Sequence, residues 1–205
     1  MFRGASRLGV MGGTFDPPHN GHFKMAAAVA SAKRLDHVLF VPASQPWQKA
    51  EYSHAEDRFT MTQLGAVSDP RFVVSRIELD RKGPTYTVET VSTLSELCPD
   101  VQLFFIVGAD AAVNLPTWHR VGELARFVSI LVVTRSGVDP SDLELPTTEL
   151  QIEYVDVRPV DISSTQVRAA VRQGLSIEGS VPPAVCDYIA RRGLYRAREG
   201  TTTVP

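Results

Sequence analysis

A doubly wound α/β fold is what this chain predicts, on three observations. Short, nearly unbroken apolar runs recur at Arg7–Met11, His37–Ala43, Phe72–Ile77, Val101–Val107 and Val128–Thr134. Segments of helical periodicity lie between most of them, and the first run stops at Gly12-Gly13, a tight turn directly after a strand. Continuous apolar strands joined through helices make a parallel sheet covered on both faces, because each right-handed crossover lays a helix across it.

Each element has its own signature. Asn20–Leu35 places Phe23, Ala26, Ala27 and Ala30 at three- and four-residue steps, which is one face of a helix. After the His37–Ala43 strand comes the polar loop Ser44–Tyr52, whose segment Gln45–Tyr52 reads as a mobile lid carrying Trp47, Gln48 and Lys49. Ser53-x-x-Glu56 has capping-box spacing and opens a helix through Val67, which Asp69-Pro70 closes. A helix over Tyr86–Leu97 follows the third strand, and a helical stretch around Gly122–Arg126 precedes the fifth. Gln151–Val157 makes a last strand, and helices over Ser164–Gln173 and Pro182–Arg192 finish the chain. The stretch from 137 to 150 is the most linker-like, but too little follows it for a second core. We therefore expect one domain over residues 1–197 and a flexible tail at 198–205.

Composition narrows the function. The 205 residues carry 21 Lys+Arg against 23 Asp+Glu, a net charge of −2, which speaks against affinity built by neutralising many nucleic-acid phosphates. Hydrophobic residues are 43% and charged residues 21%, a globular mixture that can bury a core. No apolar run reaches the roughly 20 residues of a membrane span, and the first residues lack signal-peptide character. Two cysteines, Cys98 and Cys186, make neither a disulfide framework nor a thiolate metal site, so the reducing cytoplasm is the expected setting.

In open parallel sheets, ligands bind beyond the carboxyl ends of the strands, against helix N-termini. The loop after the first strand reads Gly12-Gly13-Thr14-Phe15-Asp16-Pro17-Pro18-His19-Asn20-Gly21-His22. Its glycines allow close backbone approach to a phosphate or sugar, and His19 and His22, three apart on a first helical turn, point to one side. The same residues equally suit an ordinary cap. No dinucleotide fingerprint, Walker lysine, H-E-x-x-H pair or G-x-S-x-G elbow is present, so hydride transfer, P-loop, zinc-protease and serine-hydrolase chemistry lose support. Downstream, Ile162-Ser163-Ser164-Thr165-Gln166-Val167-Arg168 is either a capping box with a solvated arginine or a polyphosphate cradle.

The two motifs together resemble the H-x-G-H nucleotidyltransferases, and within them the bacterial nicotinate mononucleotide adenylyltransferases. The resemblance covers nearly the whole chain, through Val41-Pro42 with Pro46-x-x-Lys49, Asp57-Arg58-x-x-Met61, Pro84-Thr85-Tyr86-Thr87-Val88, Gly108-Ala109-Asp110, Leu115-x-x-Trp118 and Val181-Pro182 to Leu194-Tyr195. It implies a Rossmann-like nucleotidyltransferase fold with C-terminal helices. It also implies adenylyl transfer from ATP to nicotinate mononucleotide with Mg²⁺, giving the dinucleotide and pyrophosphate. His19, His22 and Arg168 become the catalytic residues. Gly12, Gly13, Thr14, Phe15, Lys49, Arg135, Ser163, Ser164 and Thr165 would contact ATP and phosphate, and Thr85, Tyr86, Gly108, Asp110 and Trp118 the mononucleotide. No protein-held metal is expected, and no nucleic-acid or membrane partner; a homo-oligomer is compatible. Nicotinamide mononucleotide and phosphopantetheine are the sibling acceptors, the latter with a shorter chain and Thr in place of His19. A non-catalytic nucleotide-binding regulator is the alternative from another class, and intact His19, His22 and Arg168 speak against it.

Overall fold

The computed structural model describes residues 4–45, 52–135, 150–158 and 160–196. Six strands, β1 (Arg7–Gly13), β2 (His37–Pro42), β3 (Phe72–Val74), β4 (Gln102–Gly108), β5 (Val128–Arg135) and β6 (Ile152–Val157), form one sheet in the order β3-β2-β1-β4-β5-β6. Every pairing is parallel. The chain order reverses between β1 and β4, so the loops leaving these two neighbours diverge and open a crevice at the carboxyl edge.

Alternate residues of the strands feed two cores. On one face Leu8, Val10, Leu39, Val41, Leu103, Phe105 and Val107 pack against Val88, Val91 and Leu94 of α3 (Thr87–Leu97). On the other, Met11, Val38, Phe40, Phe104 and Ile106 meet Phe23, Ala26, Val29 and Ala30 of α1 (Asn20–Ala32), the face that the periodicity predicts. Burying a Phe or Leu of this kind contributes about 1.5–3 kcal/mol, which is why the strands tolerate no polar interruption. A third cluster joins Met61 of α2 (Ala55–Ala66) to Val167 of α5 (Ser164–Arg172) and to Val185 and Ile189 of α6 (Pro183–Arg192). This cluster packs the last two helices against α2.

Several local expectations change. The capping box at Ser53 and Glu56 does not form: His54 is the cap residue of α2, the Ser53 carbonyl accepts from Arg58 Nε, and the Glu56 carboxylate pairs with Arg76 at 2.7 Å. The Glu56 side chain thus serves a tertiary ion pair instead of a cap. The third strand ends at Val74 rather than Ile77, because the chain turns there and the Asp80 amide donates to the Arg76 carbonyl at 2.9 Å. The first helix ends at Ala32, since Arg34 takes a left-handed φ of 51° that brings Leu35 into the core. The stretch before β5 is a 3₁₀ helix, Val121–Arg126, preceded by a short α4 (Ala109–Ala112) and a 3₁₀ turn (Leu115–Thr117) that periodicity could not register. The lid residues 46–51, most of the 137–150 stretch and the tail 198–205 lie outside the described residues.

Candidate active site

The loop leaving β1 is shaped by one aromatic ring. Phe15 adopts a φ of 50°, a left-handed conformation that costs a non-glycine residue about 1–3 kcal/mol. Its ring is nevertheless buried, meeting Phe40 from below and His22 edge-on at a centroid distance of 5.2 Å, so packing offsets the strain. A Cβ on Gly13 would fall 2.9 Å from that ring. Gly13 is therefore required by the packing of the loop.

The turn delivers the chain to α1, where the two histidines meet. His19 is the cap residue and His22 the third helical residue; the His19 amide donates to His22 Nδ1 at 3.1 Å. Because Nδ1 accepts, a neutral His22 carries its proton on Nε2, the far edge of the ring. The two rings stack at 3.7 Å between centroids. Burial pushes the His19 imidazole down to about 4, so it is neutral at pH 7 and the stacked pair avoids like-charge repulsion. His19 Nδ1 is buried and faces Gly21, on the inner side of the helix start.

The C-terminal motif closes on this loop across nearly 150 residues of sequence. Ser163 and Gln166 form the predicted capping box at the start of α5, with Ser163 Oγ accepting from the Gln166 amide at 3.2 Å. Ser164 Oγ donates to the Pro17 carbonyl at 2.9 Å. Arg168 donates to the Asp16 carbonyl at 2.7 Å and to Thr165 Oγ1 at 3.3 Å. From the other side the wholly buried Arg58 donates to the carbonyls of Thr14, Ala43, Ser44 and Ser53 at 2.7–3.1 Å. Asp16 itself accepts from the Ser53 amide at 3.1 Å and from the Tyr195 hydroxyl at 2.6 Å. The N-terminus of α5 thus lies against the loop that leads to the histidines, and its dipole suits a polyanion.

Next to this polar shelf opens a cavity of about 370 Å³. Gly12, Gly13, Thr14 and His22 line one side, Phe105 and Gly108 of β4 the floor, and Thr85, Tyr86, Trp118 and His119 the far wall. Trp118 stands edge-on to Phe105 at 5.6 Å, and the Tyr86 and His119 rings lie 4.2 Å apart. Tyr86 is the cap residue of α3, so Thr85 stands just before the helix rather than beginning it, and the helix's first N–H groups still face this region. Such a pocket suits a flat, electron-poor ring.

Of the residues singled out in the sequence, Gly12, Gly13, Thr14, His22, Thr85, Tyr86, Gly108 and Trp118 line the cavity. Phe15, His19, Ser164, Thr165 and Arg168 join it through the ring contacts and hydrogen bonds above, and Ser163 caps the same helix end. Asp110 is not brought in: it is exposed on α4, while its neighbours Gly108 and Ala111 line the cavity. Lys49 and the Arg135 side chain lie outside the described residues. Glu78, His119, Met25 and Phe105 line the cavity without having been singled out. His119, next to Trp118, could have been found; Glu78 sits in no motif or period that would select it.

This fold and site define a nucleotidyltransferase. A family model described as cytidylyltransferase-like matches residues 10–170, and the chain belongs to that family. Among its relatives, a Saccharopolyspora erythraea protein named "Probable nicotinate-nucleotide adenylyltransferase" is 45% identical over 97% of this chain and 93% of its own. A Streptomyces coelicolor protein of the same name is 47% identical over 91% of this chain and 99% of its own. Within the cytidylyltransferase-like family the chain thus belongs with the nicotinate-nucleotide adenylyltransferases. A solved structure of Plasmodium falciparum nicotinic acid mononucleotide adenylyltransferase complexed with NaAD superimposes with a TM-score of 0.76, covering 93% of this chain and 97% of that one at 18% identity, which speaks to the fold.

Proposed function

We propose that the histidine shelf and the start of α5 hold the polyphosphate of ATP, and that the aromatic cavity holds the pyridine ring of nicotinate mononucleotide. The observation that carries this reading is the stacked His19–His22 pair, set between a helix N-terminus and an aromatic pocket. The reaction is adenylyl transfer: a phosphate oxygen of the mononucleotide bonds to the α-phosphorus of ATP, and the bond to the pyrophosphate oxygen breaks.

A phosphate monoester is largely dianionic at pH 7 and already nucleophilic, so no general base is required. The protein's task is to align two anions and to meet charge building on the α-phosphate and the leaving pyrophosphate. The His22 Nε2–H and the His19 ring are the donors for that charge. Burial keeps His19 neutral before substrate arrives, and an adjacent polyphosphate favours its protonated form, so its positive charge develops with the complex. Arg168, with the hydroxyls of Ser163, Ser164 and Thr165, meets the outer phosphates, and Gly12 to Phe15 offer backbone contacts bridging both substrates. Lys49 and Arg135 remain candidates for further phosphate contacts.

Mg²⁺ enters with ATP, held by the phosphates and water. The proposed setting is the cytoplasm, whose reducing conditions suit the free thiols of Cys98 and Cys186. No described helix is long and apolar enough to cross a membrane.

Pyrophosphate release from ATP and Mg²⁺ tests the reading, with nicotinate mononucleotide, nicotinamide mononucleotide and phosphopantetheine compared and His22→Ala as control. Release with the nicotinate acceptor that vanishes in His22→Ala is expected. Release that survives the substitution removes the histidine shelf from the chemistry.

A further inference from the structure

Just beyond α6 the chain reaches back to the loop that leaves β1. The Tyr195 ring packs on the cluster that joins α2, α5 and α6, and its hydroxyl donates to Asp16 Oδ1 at 2.6 Å. Asp16 is only 3% exposed, and each of its oxygens is engaged: Oδ1 by Tyr195, Oδ2 by the Ser53 amide at 3.1 Å, and the carbonyl by Arg168 at 2.7 Å. Burial, and after it the Asp16 charge, pushes the Tyr195 hydroxyl up, so it stays a donor near neutral pH.

Arg168 therefore stands at the end of a relay. Its guanidinium is held at the Asp16 carbonyl and, at 3.3 Å, at Thr165 Oγ1 on its own helix. These bonds leave further guanidinium N–H groups for a phosphate. Of the two holds, only the Asp16 carbonyl lies outside α5, so it decides how the fork is turned toward the β1 loop. A carbonyl moves with its residue, and Asp16 is fixed through its side chain. The histidines have a separate anchorage: the Asn20 amide donates to the Ser180 carbonyl at 2.9 Å, and Asn20 Nδ2 to the Gly179 carbonyl at 2.8 Å.

We infer that Tyr195 is a positioning residue for ATP: its hydroxyl fixes Asp16, and the Asp16 carbonyl fixes the Arg168 fork that receives the outer phosphates. The inference rests on the Arg168–phosphate contact proposed above. Because the effect passes through Arg168, it cannot exceed the effect of removing that side chain.

Tyr195→Phe keeps the ring in its packing and removes only the hydroxyl. Steady-state kinetics should show KM for ATP raised about three- to tenfold, with kcat and KM for nicotinate mononucleotide within about twofold of wild type. In an Arg168→Ala background the same substitution should move KM for ATP by less than about twofold, because the relay has lost its end. Tyr188→Phe is the matched control. The Tyr188 hydroxyl donates to Asp57 Oδ1 at 2.7 Å, and Arg192 Nε donates to the same oxygen at 3.2 Å, so these bonds lead back to α6 and not to the β1 loop. Tyr188→Phe should lower the urea midpoint as Tyr195→Phe does, yet leave KM for ATP unchanged. An unchanged KM for ATP in Tyr195→Phe overturns the inference. So does an equal rise in the Arg168→Ala background or in Tyr188→Phe, either of which would reduce Tyr195 to a support of the fold. If Arg168→Ala itself leaves KM for ATP unchanged, the phosphate contact falls, and the inference with it.

Discussion

The two halves proposed for the site, one for phosphate and one for the pyridine, are built by different means. The phosphate half joins residues from opposite ends of the chain, and the joints are largely backbone carbonyls: Asp16 and Pro17 receive Arg168 and Ser164, and Thr14, Ala43, Ser44 and Ser53 receive Arg58. The pyridine half is made of side chains from the middle of the chain, Glu78, Thr85, Tyr86, Trp118 and His119, resting on the floor of β4. A half held through its backbone needs glycines, prolines and fixed helix starts, and so leaves a motif. A half held through side-chain packing leaves no such local motif.

The largest effect should come from the phosphate half. His22→Ala removes a donor to the developing charge and should lower kcat by about 10²–10³. KM for the mononucleotide should change little; a purely KM effect would mean that the histidines bind without favouring the transition state. Trp118→Ala acts on the other half, and steady-state kinetics should show KM for nicotinate mononucleotide rising about 30-fold, near the upper range for a desolvated cation–π contact, with KM for ATP nearly unchanged. Equal changes for both substrates would dissolve the division into halves.

Arg168→Ala should do the reverse, raising KM for ATP about tenfold through one lost charged hydrogen bond. Arg168→Lys should recover only part of this, since one ammonium cannot replace the fork that reaches both the Asp16 carbonyl and Thr165. The smallest effect sharpens the comparison through stability. His19 titrates near 4 when folded against 6.5 unfolded, so the unfolded chain binds more protons in between. Its contribution is complete above the unfolded value and is lost as pH falls toward the folded one. Urea unfolding should therefore show His19→Asn losing about 1 kcal/mol less than wild type between about pH 7 and about pH 5.5. Identical losses would place His19 in water rather than in a dry shelf.

What the sequence determined by itself follows from short-range rules. Unbroken apolar strands alternating with helices impose a parallel sheet, the Phe23, Ala26 and Ala30 spacing sets the buried face of α1, and Ser163 with Gln166 fixes the start of α5. The loop motif after β1 was legible for the same reason, since glycine turns and histidines at a helix start are local requirements. Only the tertiary structure decided which side chains face which. Ser53 and Glu56 have capping spacing, but His54 takes the cap position and Glu56 pairs with Arg76 instead. Asp110, prominent in its motif, is exposed on a four-residue helix, whereas Glu78, in no motif, is buried and bonded to Thr90 of α3. Periodicity reports which residues are buried, but not which buried polar groups meet. That pairing depends on how distant elements pack, and the hydrogen bonds a buried carboxyl group must make are supplied only there.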